Sequence, residues 1–172
     1  FSFEQGKNYL IDAQSGKGKS TFVQCIYGIR RDFTGDVFID SMPIKSANSD
    51  SIAKLRQNHL SILFQDLRLF TDLTARENIQ INAALGKTDR FEKVDEMANF
   101  LKVDHIMEKE AGLLSYGERQ RIATIRALIQ PFDWIMLDEP FAHLDKENTR
   151  NSYQLIQEVA KEQHAGILLT TL

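Results

Sequence analysis

Residues 9–12 form a short apolar run that leads directly into Ala13-Gln14-Ser15-Gly16-Lys17-Gly18-Lys19-Ser20. The next segment, 19–27, carries Phe22, Val23, Ile26 and Tyr27 at helical spacing. Strand, glycine loop and helix in that order form a unit whose loop N–H groups and helix N-terminus converge on one point. The glycines let the backbone curl, Lys19 adds a positive charge, and Ser20 adds a hard oxygen. Such a unit is a cradle for phosphate, and its helix must pack back onto a sheet.

The remaining pattern agrees with that constraint. Residues 37–40, 60–65, 134–137 and 167–170 read as strands, the third too short for a helix. Residues 50–58, 89–101, 118–129 and 147–163 read as helices. Phe91, Val94, Ala98 and Leu101 mark the apolar face of the second, and Tyr153, Ile156, Val159 and Ala160 that of the last. Pro131 stops the third. Strands that alternate with helices predict an α/β fold with a mostly parallel sheet. At 172 residues the chain is one domain able to bury a sizeable core.

Bulk properties narrow the partners. With 42% hydrophobic and 26% charged residues the chain reads as a soluble globular protein. A net charge of −3 argues against broad nucleic-acid binding. Cys25 is the only cysteine, so no intrachain disulfide is possible and a reducing compartment fits; on the first helix it reads as a packing residue. No apolar run approaches the roughly 20 residues of a membrane span, and no signal peptide is visible. The chain opens on Phe1 without Met and closes on the apolar run 166–172, so a fragment or trimmed chain is expected.

The phosphate loop assigns roles by chemistry. Gln14, Ser15, Gly16, Lys17 and Gly18 surround phosphate oxygens. Lys19 reaches the β- and γ-phosphates, Ser20 ligates Mg2+, and Thr21 stands by the α-phosphate. Ala13 occupies the position where the usual pattern has its first glycine. A second block, Trp134-Ile135-Met136-Leu137-Asp138-Glu139, is a buried strand ending in two carboxylates. Asp138 is placed to hold Mg2+ and Glu139 to polarise the attacking water as general base. α/β sheets put their ligands at this end of a strand.

The third block is Leu114-Ser115-Tyr116-Gly117-Glu118-Arg119-Gln120-Arg121. Ser115 reads by itself as a helix N-cap. Together with the other two blocks, the segment resembles the signature of ATP-binding cassette (ABC) ATPases, usually Leu-Ser-Gly-Gly-Gln, with Tyr116 and Glu118 as departures. Further matches to that family cover essentially the whole chain. Gln65 resembles the Q-loop glutamine, and Leu144-Asp145 resembles the D-loop, where Asp145 also reads as a cap or Asx turn. Phe70-Thr71-Asp72-Leu73-Thr74-Ala75-Arg76-Glu77-Asn78-Ile79 resembles the segment that contacts a transmembrane partner. Leu55-Arg56-Gln57 before Leu63-Phe64-Gln65-Asp66-Leu67 resembles one subgroup: ATPase subunits of lipoprotein-releasing, macrolide-export and cell-division complexes.

The resemblance implies a RecA-like P-loop NTPase core, 1–70 and 118–172, with an inserted α-helical subdomain at 71–117 carrying the signature. It implies an N-terminal antiparallel β part that is cut short here. It implies Mg2+-dependent hydrolysis of ATP to ADP and phosphate, with Glu139 and Gln65 catalytic and Ser20, Gln65 and Asp138 toward the metal. Ser115 and Gly117 would cover the nucleotide of a second ATPase subunit in a head-to-tail homodimer. Separate transmembrane permease subunits would carry the membrane part. The chain would then lie peripherally on the cytoplasmic face of the inner membrane, with no nucleic-acid partner. Two rivals are a nucleotide-gated scaffolding subunit with little hydrolysis and a soluble ABC ATPase outside transport. The family's switch histidine falls on Leu172, so it is either missing or shifted past the visible end. The adenine-stacking aromatic falls before residue 1, and Phe1 and Phe3 read as core of an N-terminal strand. His59, His105, His143 and His164 read as surface or helix-end histidines.

Overall fold

A computed structural model describes residues 1–14, 16–86 and 88–171. In order, the chain forms β1 (Asn8–Asp12), α1 (Lys19–Ile26), β2 (Phe38–Ile39), β3 (Met42–Pro43), α2 (Ser49–Asn58) and β4 (Leu60–Leu63). It continues through α3 (Ala75–Gly86), α4 (Val94–Phe100), α5 (Tyr116–Ile129), β5 (Trp134–Asp138), α6 (Lys146–Glu162) and β6 (Gly166–Thr171). β2 and β3 make a small antiparallel hairpin. The other four strands form one sheet in the order β1-β6-β5-β4, every pair parallel. All four therefore end on one edge, where Leu63 pairs with Leu137, Asp138 with Thr170, and Asp12 with Thr171.

Strand pleating sorts the core into two layers. Leu63, Ile135, Leu137 and Ile167 pack against α3, α4, α5 and α6. Leu60, Ile62, Met136 and Leu168 face the other way, against Val23 of α1 and Ile52 and Leu55 of α2. Both faces are covered, which is why the strands read as nearly continuous apolar runs. The second layer ends in an aromatic cluster. Trp134 lies 6.4 Å from Phe3 and 6.1 Å from Tyr9 between ring centroids. Its ring lies against Gly166 so closely that a Cβ there would stand 2.5 Å from Cζ3, which explains a glycine inside a buried strand.

Several elements differ from the sequence expectation. β4 stops at Leu63, two residues before Gln65, because the chain turns through Leu67 and Arg68, both at positive φ (60° and 50°). The helix expected over 89–101 is two pieces, a 3-10 turn at Asp89–Lys93 and then α4. Thr88 starts that turn by accepting from Arg90 N–H at 3.1 Å. α5 begins at Tyr116, earlier than expected. α3 was not foreseen; its buried face is Ala75, Asn78, Ile79, Ala83 and Gly86, too small and too polar to stand out. Phe1 is fully exposed rather than core, while Phe3 packs partly into the second layer. Tyr153 is only partly buried. Cys25 is buried, which fits a packing residue, and burial pushes its thiol up from the ordinary value. Among the described residues, no helix is long and apolar enough to cross a membrane.

Candidate active site

The carboxyl edge of the sheet brings four loops together. After β1, Gly16 and Gly18 adopt φ 76° and 88°, and a Cβ at either would meet nothing within 4 Å. The loop thus curls with its glycines facing open space, and Lys17 N–H closes the turn on Gln14 O at 3.2 Å. Gly18 starts α1 with no side-chain cap and no acid in the first turn. The first N–H groups and the positive end of the helix are left for an anion. Lys19 is buried; its Nζ donates to Ala13 O at 2.6 Å and lies 3.2 Å from Glu139 Oε1. Ser15 lies outside the described residues, and Thr21 is exposed on α1.

The acidic pair comes from β5. Asp138 is 3% exposed, and its Oδ1 accepts from Ser20 Oγ at 3.1 Å. At Glu139 the backbone turns to φ 48°, a left-handed conformation that costs a non-glycine residue on the order of 1 kcal/mol. The reversal brings the Glu139 carboxylate to Lys19 on one oxygen and to Gln65 Nε2, at 3.2 Å, on the other. The following residue is held as well, because buried Gln120 of α5 donates to Pro140 O.

Gln65 is exposed, and its own carbonyl accepts from the Tyr116 hydroxyl at 2.9 Å. Just beyond it, Arg126 of α5 donates to Arg68 O at 2.6 Å and to Leu67 O, bracing the two left-handed residues. Burial pushes this guanidinium down to about 10. α5 itself opens on a capping box. Ser115 Oγ accepts from Glu118 N–H at 3.3 Å, while Glu118 Oε2 accepts from Ser115 N–H at 2.8 Å and from its hydroxyl at 2.7 Å. These bonds hold the Glu118 carboxyl below its usual range. Gly117 sits near Leu144, where a Cβ would lie 3.7 Å from Cδ2, and the Tyr116 ring meets His143 edge-on at 4.6 Å. Asp145 caps α6 by accepting from Asn148 N–H at 2.8 Å.

Of the residues singled out by sequence, Lys19, Ser20, Gln65, Asp138 and Glu139 are joined by direct contacts. Ser115 and Gly117 stand apart at the open end of α5, linked to that group through Tyr116. Leu172 lies outside the described residues. His59 pairs with Asp133 at 2.6 Å, and His105 and His164 are exposed. Sequence reading gave no role to Arg126 and Thr170, and took Gln120 only as part of the family match. All three are buried; Arg126 stands among apolar neighbours and Thr170 follows an apolar run, the signal that marks them, whereas Gln120 stands between Arg119 and Arg121.

Phosphate and Mg2+ fit this donor set. The loop and the uncapped start of α1 offer backbone N–H groups, Lys19 a buried amine, and Ser20 and Asp138 the hard oxygens Mg2+ favours. A glycine phosphate loop after β1 and paired acids closing β5 of a parallel sheet define a nucleotide-binding P-loop protein. Comparison narrows the class. Residues 1–142 match the family described as ABC transporter. The chain is 33% identical over 170 residues to the lipoprotein-releasing system ATP-binding protein LolD of Buchnera aphidicola subsp. Schizaphis graminum (strain Sg), covering 97% of this chain and 74% of that protein. It also superposes on the dimeric structure of MJ0796, a bacterial ABC transporter cassette, with a TM-score of 0.91 and 25% identity over 99% of this chain and 77% of that one. The post-hydrolysis dimer of MJ0796 bound to ADP and Pi gives a TM-score of 0.89 with the same identity and coverage. The chain belongs to the ABC transporter family, as an ATP-binding subunit with the expected RecA-like fold.

Proposed function

We propose that this chain hydrolyses ATP in a Mg2+-dependent reaction at sites shared between two copies, and so drives a separate transmembrane partner. The observation that carries the reading is the contact chain Ser20–Asp138 and Lys19–Glu139–Gln65 beside an open phosphate cradle. The β- and γ-phosphates settle on the N–H groups of residues 14–18 and on Lys19, and Thr21 stands by the α-phosphate. Lys19 then exchanges its contacts with Ala13 O and Glu139 for phosphate oxygens. That exchange frees Glu139 to take a proton from water as the water attacks the γ-phosphorus in line. The bond to the β–γ bridging oxygen breaks, and ADP and phosphate leave. Gln65 orients the carboxylate of Glu139 and the attacking water. Ser20 Oγ, Asp138 and Gln65 would hold Mg2+, which when bound neutralises charge on the phosphates.

Ser115 and Gly117, at the open end of α5, would complete the site of a second copy. Both MJ0796 structures being dimers supports this. In this reading residues 71–117 form a helical subdomain inserted between 1–70 and 118–172. The exposed side chains of Phe70 and Leu113 would face the permease at the cytoplasmic side of the membrane. The test is steady-state ATP turnover against protein concentration, with Glu139→Gln alongside. Turnover should curve upward with concentration and vanish in the variant. Unchanged turnover in Glu139→Gln would refute the assignment of the base.

A further inference from the structure

Thr170 carries a hydroxyl just after the apolar run 167–169 of β6, and its exposure is 0%. It is the register partner of Asp138, the last pair in the β5–β6 ladder. Its Oγ1 donates to Asp138 Oδ1 at 3.0 Å, with Leu137 O a longer alternative at 3.4 Å, and accepts from Glu139 N–H at 3.1 Å. One hydroxyl therefore touches both members of the acidic pair. On Asp138 it shares the oxygen that Ser20 also contacts, so one hydroxyl from β6 and one from α1 fix that carboxylate. On Glu139 it supplies a partner for the N–H where the backbone turns left-handed and leaves the ladder.

We infer that Thr170 is a positioning residue that aims the Asp138 carboxylate and holds the Glu139 turn in its productive conformation. The inference rests on the roles given to Asp138 and Glu139 above. The task needs a group that donates one hydrogen bond and accepts another, in a shape a buried strand accommodates. Threonine and serine meet that need, whereas valine keeps the β-branched shape and loses both bonds.

The experiment compares the full chain with Thr170→Val and Thr170→Ser. The affinity for Mn2+ with adenylyl imidodiphosphate is read by electron paramagnetic resonance. Steady-state kcat and KM for ATP and the thermal midpoint are measured alongside. In Thr170→Val the Mn2+ affinity should fall about tenfold and kcat by at least as much, the order carried by groups that orient metal ligands. KM for ATP should stay close to wild type, and Thr170→Ser should restore most of both losses. Where Val lowers the folded yield, Thr170→Ala removes the same hydroxyl without steric demand. Wild-type Mn2+ affinity and kcat in Thr170→Val, or a serine variant as impaired as the valine one, would overturn the inference while leaving the reading of the site intact. A wild-type chain that binds no Mn2+–nucleotide would overturn both.

Discussion

Replacing Arg126 with Met tests how α5 holds the loop of Gln65. The guanidinium makes two bonds, to Leu67 O and Arg68 O, and charge-assisted bonds of this kind contribute about 1.5–3 kcal/mol each. Burial opposes them. The descent from the ordinary arginine value to about 10, at about 1.4 kcal/mol per tenfold change, corresponds to a cost of ~3 kcal/mol for keeping the charge inside. The difference leaves about 2 kcal/mol in favour of arginine. Met fills similar space, removes the desolvation cost and orphans two carbonyls in left-handed residues that are strained without support. The midpoint should drop by about 4–8 °C, at about 2–4 °C per kcal/mol for a chain of this size. The protein would stay folded at ambient temperature, since domains hold roughly 5–15 kcal/mol in reserve. Activity should suffer more than stability. Gln65 sits two residues before the braced turn, and a displacement of about 1 Å in a positioning group can cost up to about 100-fold in rate. Differential scanning calorimetry and steady-state turnover decide the matter. A wild-type kcat with a lowered midpoint would show that the brace serves folding alone. A loss well above 5 kcal/mol would show that the desolvation cost is overstated.

Gly166→Ala should lower stability by ~1–3 kcal/mol, the range for overpacking, because the new Cβ meets three rigid ring atoms of Trp134 within 2.8 Å. Trp134 is the only tryptophan, so its emission should shift in the folded protein, and an unchanged spectrum and midpoint would contradict the packing described. Glu118, whose folded pKa is lowered from 4.5 by Ser115, should add its full stability above that value and lose it as pH falls through the depressed one. The stability difference between wild type and Glu118→Ala should therefore shrink in acid; a difference that stays constant would rule out an ionised capping box.

What the sequence made legible follows from how local each signal is. The phosphate loop, the acidic end of β5 and the Ser115 cap are set by neighbouring residues, and the structure has loop, strand and cap where those residues stand. α3 was hidden because its inward face pairs small residues with Asn78, whose amide ties Phe70, Leu73 and Thr74 instead of packing like a hydrophobe. A local sign was present: Thr74 and Glu77 form a reciprocal cap at its start. The break before α4 was hidden because Val94, Ala98 and Leu101 keep helical spacing beyond it. Thr170 and Arg126 depend on partners 31 to 59 residues away, so nothing beside them in the chain states their purpose.

α5 is a rod of 14 residues, about 21 Å long, with grips at several points along it. Tyr116 and Arg126 grip the loop of Gln65, Gln120 grips Pro140 beside Glu139, and Ser115 is offered to the outside. A stiff rod cannot yield at one grip alone. Whatever bears on its open end tilts the supports on both sides of Glu139 together, and whatever settles beside Glu139 changes the angle at which Ser115 is presented. The torque runs both ways with equal coupling, as any two linked equilibria must. In a dimer of the kind proposed, such a lever would let the chain sense its neighbour with the same helix that serves its own carboxylate.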